Sequence, residues 1–173
     1  SYLDDFDICN KVTSLDFKYE NPTETKNSID KKLMRLSAIY DEFKKDPNIN
    51  SIQPAVAEIN SLFADNPGNT NLAWNYFILS CINGDHETAF NCLHTYALKS
   101  ANTDLKSWQD YYILLIGQTR LYEKLEELIR HCKSTLNENA QLVEFSRKAL
   151  SYMLYKSKMN TAIESALSID ENN

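Results

Sequence analysis

The stretch Leu72-Ala73-Trp74-Asn75-Tyr76-Phe77-Ile78-Leu79-Ser80-Cys81-Ile82 runs into Asn83-Gly84-Asp85 and then into His86-Glu87-Thr88-Ala89-Phe90-Asn91-Cys92-Leu93. The first eleven residues form an apolar run, Asn-Gly-Asp breaks it, and a second helix is expected from about Glu87 to Ser100. The unit is therefore helix, turn, helix.

The same arrangement recurs on both sides. Downstream, Ser107 to Ile116 leads into Gly117-Gln118-Thr119 and a helix from about Tyr122 to Leu136. Gln141 to Tyr155 and Asn160 to Ile169 make a last pair. Upstream, Leu33, Leu36, Ile39, Tyr40 and Phe43 recur at spacings of three and four from Ser28 until Asp46-Pro47-Asn48. A helix N-capped by Ser51 then carries Val56, Ile59, Leu62 and Phe63 until Asp65-Asn66-Pro67-Gly68-Asn69. The expectation is an all-α fold of about eight helices in four hairpins, at about 28–64, 71–100, 105–136 and 141–169.

Residues 1–26 read differently and are expected to form an amino-terminal arm, with residues 27–173 as the helical domain. Leu15, Phe17 and Tyr19 alternate with Asp16 and Lys18 as in an extended segment, and residues 2–10 could hold one short helix. The arm is too apolar for a free tail. It is expected to lie against the first hairpins; the rival reading offers Asp4-Asp5-Phe6-Asp7 to another protein in trans. The start at Ser1 and the abrupt stop of the last helical pattern point to a domain of a longer protein.

Composition excludes several function classes. Gly68, Gly84 and Gly117 are the only glycines, too few and too far apart for a P-loop or a dinucleotide-binding G-x-G-x-x-G. All four prolines lie in the first 70 residues, which leaves the rest open to long helices. A formal charge of −6 disfavours nucleic acid and anionic membranes as partners. No apolar run approaches the roughly 20 residues of a membrane span. Cys9, Cys81, Cys92 and Cys132 are widely spaced and read as reduced thiols. Cys92-Leu93-His94 and His131-Cys132 complete no four-ligand metal set. Neither a cofactor nor a catalytic constellation is expected, and the compartment is expected to be cytoplasm or nucleus.

A fixed period runs through the helices. Trp74 and Trp108 are 34 residues apart, as are Ala55 and Ala89; Leu125, Phe145 and Ala162 continue the two series at 36 or 37. The motif Trp74, Phe77, Ile78, Cys81, followed by Ala89-x3-Leu93, and the preceding Ala55-x3-Ile59 with Pro67, resemble the tetratricopeptide repeat. The match is clearest over 51–132. The turn between Trp74 and Ala89 is one residue short of the family pattern, and Leu125 stands where a small residue belongs.

The resemblance implies a TPR-like α-solenoid and, by analogy of fold, a non-catalytic protein-binding scaffold or adaptor within a multiprotein complex. Two alternatives are a helical regulatory or substrate-positioning domain of an enzyme assembly and, less in keeping with the acidic balance, an RNA-binding repeat. First-helix positions expected to face a concave groove are Asn75, Tyr76, Leu79, Ile82, Gln109, Asp110 and Ile113, with Ile116 extending the apolar stripe. Lys106 is the only cation nearby, so a carboxylate clamp is not expected. A protein or peptide partner would use Tyr76 as anchor, with Asn75, Gln109 and Asp110 setting its register. Trp74 and Trp108 are expected to be core residues.

Overall fold

The computed structural model describes residues 8–20, 28–100, 106–136 and 140–171. The described residues are all-α. A short helix α1 (8–12) precedes α2 (Ser28–Lys45), α3 (Ile49–Asp65), α4 (Thr70–Ile82), α5 (His86–Ser100), α6 (Gln109–Thr119), α7 (Tyr122–Leu136) and α8 (Ala140–Glu171).

Helix α4 is the centre. Every residue from Leu72 to Ile82 is buried, including Asn75 and Ser80. A helix that is apolar on all sides has to be enclosed on all sides. Helix α3 covers one flank and α5 the other; α2 packs on α3, α6 on α5, α7 on α5 and α8, and α8 on α6. The Asn69 side chain caps α4 by accepting from the Leu72 N–H at 3.0 Å. At the other end Gly84 turns left-handed with φ 78°, so that the Gly84 N–H reaches the Cys81 carbonyl and the Asp85 N–H reaches Ser80. Asp85 then starts α5, accepting from the Thr88 N–H and hydroxyl. The Asn83-Gly84-Asp85 break thus closes one helix and caps the next.

Four expectations change. Helix α3 begins at Ile49 rather than after Ser51, because Asn48 caps it from an extended backbone and accepts from the Asn50 N–H. Pro54 then sits inside the helix, where it forgoes the bond to the Asn50 carbonyl. Helix α6 continues through Gly117 to Thr119 and ends at Arg120, whose φ is 62°. Gly117 serves approach rather than turning: a methyl group there would lie 2.3 Å from the Tyr152 ring of α8.

The hairpin expected over 105–136 is not a close pair, since α6 and α7 make their main contacts with α5 and α8. The hairpin expected over 141–169 is a single 32-residue helix, α8. Lys156-Ser157-Lys158-Met159-Asn160 contains neither glycine nor proline, and nothing folds back to reward a turn, so the helix propagates. The expected count of eight helices is met only because α1 replaces the lost one.

The core is aromatic. Trp74, Trp108, Tyr40, Tyr112, Phe77, Phe90 and Phe145 are the largest enclosed side chains. Each buried side chain of this size contributes on the order of 2 kcal/mol. Most charged side chains lie outside, some in pairs such as Arg35–Glu58 between α2 and α3 and Arg130–Glu126 within α7, while Asp30 and Lys156 are buried.

Candidate functional site

Among the described residues, the arm supplies the most elaborate non-helical contact. After α1, residues 16–20 cross α4 without helical structure, and Ile8, Val12 and Phe17 are buried. Phe17 stacks on Tyr40 of α2 at 4.8 Å between ring centres. The Tyr40 hydroxyl donates to the Leu15 carbonyl at 2.7 Å and to Val12 at 3.1 Å. Burial, aided by Asp16 and Asp41, raises the Tyr40 pKa, which keeps that donor protonated.

Asn75 is the key polar group of α4. It is fully enclosed, and its carboxamide meets the backbone of Lys18 at two points. The Lys18 N–H donates to Asn75 Oδ1 at 2.7 Å, and Asn75 Nδ2 donates to the Lys18 carbonyl at 2.8 Å. This is the pairing one strand would give another, supplied here by one side chain. Trp74 Nε1 donates to the Asp16 carbonyl at 3.0 Å. The Lys18 ammonium lies over the Trp74 ring at 4.1 Å and the Tyr96 ring at 4.5 Å, and donates to the Tyr96 hydroxyl. Further back, Tyr111 donates to the Lys11 carbonyl, and the Cys9 thiol donates to the Cys81 carbonyl. The Glu20 N–H ends the segment on the buried Asp30 carboxylate.

The seven residues expected to line an open groove are distributed otherwise. Asn75 grips the arm. Tyr76 points to α3, where its hydroxyl donates to Asn60 and its ring meets Phe63 edge-on. Leu79, Ile82 and Ile113 are buried, as is Ile116. Gln109 is half-buried, its Nε2 without a hydrogen-bond partner among the described residues, and Asp110 is exposed. The apolar stripe is therefore covered by neighbouring helices and by the arm. Trp74, Tyr96, Tyr40 and Tyr111 hold the arm and were not expected there. Alternating residues marked the arm as extended, but a tryptophan indole reaching a backbone carbonyl has no local sequence signal. Asp4-Asp5-Phe6-Asp7 lies outside the described residues.

A second buried polar group lies on α5. His94 of α5, 4% exposed, accepts from the Tyr112 hydroxyl through Nδ1 at 2.8 Å and donates from Nε2 to the Glu127 carboxylate at 3.2 Å. This neutral tautomer follows from its two partners. Burial lowers the His94 pKa; Glu127 opposes that shift, and Lys124 and His131 add to it. Burial raises the Tyr112 pKa, and the side chain is fully enclosed, so the phenol stays protonated as the donor to His94.

The folded pKa lies below that of the unfolded chain. Between the two values the unfolded chain binds the extra proton, so stability rises with pH across that window and falls on acidification below about 6.5. Urea midpoints measured from pH 7 to pH 5 should fall more steeply for the parent than for His94→Gln; parallel curves would dismiss the assignment.

Among the described residues no group of three His, Cys, Asp or Glu side chains is placed to hold a metal ion, and no helix is long and apolar enough to cross a membrane. All four cysteines are free thiols. Burial pushes the Cys92 thiol up to about 12 and raises Cys9, Cys81 and Cys132 as well. No family model, no curated protein and no solved structure matches the chain.

Proposed function

We propose that the chain is a non-catalytic protein-interaction scaffold of TPR-like architecture, acting within a multiprotein complex, whose groove along α4 receives an extended peptide. The single observation that carries this reading is the two-point contact of Asn75 with the Lys18 backbone. Such a contact recognises a peptide in extended form whatever its side chains, while the Trp74 and Tyr96 faces select a cation beside it. In the free chain, residues 16–20 occupy the groove. A partner peptide would enter by displacing them. The four free thiols fit a reducing compartment, cytoplasm or nucleus.

The test uses a labelled peptide with the sequence of residues 14–20, titrated into the parent and into Phe17→Ala/Lys18→Ala, whose own arm is held less firmly. Binding at least tenfold tighter to the double variant, and its loss when Asn75→Ala is added, is the expected pattern. Absence of binding to a folded double variant with an exchange-labile arm would overturn the reading.

A further inference from the structure

Two adjoining cavities of ≈ 410 and ≈ 530 Å3 lie between α7 and α8 and share Tyr122 and Met153. Together they make one trough, floored by Leu125 and Ile129 of α7 and by Met153 of α8, with Leu150 and Leu154 on its α8 side. Leu150 and Leu154 are 58% and 57% exposed, and Val143, one helical turn pair earlier on the same face of α8, is 67% exposed. Isolated leucines at a surface need no explanation, whereas an apolar strip from Leu125 and Ile129 through Met153 to Leu150 and Leu154, rimmed by polar side chains such as Ser157, Asn160 and Glu164, marks an interaction site. The arm-filled groove along α4 lies elsewhere in the fold, so this surface is independent of the function proposed above.

Three features define the occupant. The trough extends along α7 from Tyr122 to Lys133 and along α8 from Leu150 to Glu164, or roughly 16–21 Å at 1.5 Å per residue. A helix of about 11–14 residues spans that length. Both walls are helices whose backbone groups are already paired internally, and Asn160, the carboxamide among the described lining residues, is only half-buried, unlike Asn75. An extended peptide would leave its N–H and C=O groups without protein partners, whereas a helix satisfies its own.

The third feature is charge. Of the residues that line the trough, Arg120, Arg130 and Lys133 are basic and Glu126 and Glu164 acidic, in a chain of net charge −6. Arg120 and Lys133 stand at the rim with no ion pair among the described residues; Arg130 is paired to Glu126 within its own helix. We infer that the α7–α8 trough is a docking site for an amphipathic helix of another protein, apolar at i, i+3, i+4 and i+7 and acidic along its flanks.

The experiment is a selection, against the full chain, from a library of helix-forming 16-residue peptides with fixed leucines at that spacing and randomised flanks. Enriched peptides are expected to carry Asp and Glu on both flanks. They should bind Leu150→Asp/Leu154→Asp at least tenfold more weakly, and Arg120→Glu/Lys133→Glu at least fivefold more weakly. Both double variants change solvent-facing side chains, and circular dichroism and the urea midpoint check that they fold. Failure to enrich any peptide, enrichment of basic or uncharged flanks, or equal binding to parent and variants would overturn the inference. So would sedimentation equilibrium in which the parent dimerises and Leu150→Asp/Leu154→Asp does not, since a second copy would then be the occupant. Binding of the residue 14–20 peptide is read separately at the α4 groove, so either proposal can fail without the other.

Discussion

Replacing Trp108 by alanine is expected to destabilise the fold by about 3–5 kcal/mol, the largest effect of any single truncation considered. Trp108 is fully enclosed at the start of α6. Its ring meets Tyr112 edge-on at 5.6 Å and Phe145 of α8 edge-on at 5.2 Å, and Tyr112 meets Phe145 at 5.9 Å. The three rings are thus mutual neighbours, and they tie α6 to α8 where the chain has no continuous hairpin to do so. Removing the indole deletes the edge-to-face contacts and leaves a void that two stiff rings cannot close. For a domain of this size the loss corresponds to a fall in Tm of roughly 10 °C. Urea unfolding of Trp108→Ala measures it; a cost below about 1 kcal/mol would remove Trp108 from the core.

Asn75→Ala is expected to cost about 2–4 kcal/mol, more than its side-chain volume would suggest. The substitution removes two hydrogen bonds and leaves the Lys18 N–H and carbonyl facing a buried apolar helix. If that penalty exceeds what holds the arm, residues 16–20 detach and the global loss stops at the free energy of docking. The two outcomes separate by amide exchange. Protection at Lys18 falls in either case; it falls throughout 16–20 only when the segment detaches. Asn75→Asp keeps an acceptor for the Lys18 N–H but, once ionised, points a second oxygen at the Lys18 carbonyl, so its cost should approach that of alanine at a pH high enough to ionise the buried carboxyl. Unchanged stability together with unchanged exchange at Lys18 would contradict the assigned role.

The all-α class was legible because it rests on local terms. Spacings of three and four, an Asn-Gly-Asp break and the scarcity of glycine and proline after residue 70 act within a few residues. Boundaries failed where two local signals competed. Asn48 and Ser51 are both good caps, and the earlier one is used. Gly117 resembles a turn residue, yet its missing Cβ admits Tyr152 of α8, a residue 35 positions away. The last pair failed for a different reason: periodicity detects helix but not a reversal, and Lys156 to Thr161 supplies no breaker.

By itself, then, the sequence determined the all-α class, the position of most helices and the enclosure of both tryptophans, since each follows from nearest-neighbour backbone preference or from the number of apolar groups needing cover. Tertiary structure alone decided which surfaces stay open. An apolar face on α4 and one on α8 look alike as sequence, but α4 is wrapped by α3, α5 and the arm, while Leu150 and Leu154 face solvent. Burial depends on what the rest of the chain places opposite a residue. That long-range fact moved Asn75 from an open groove to a buried hold on the arm.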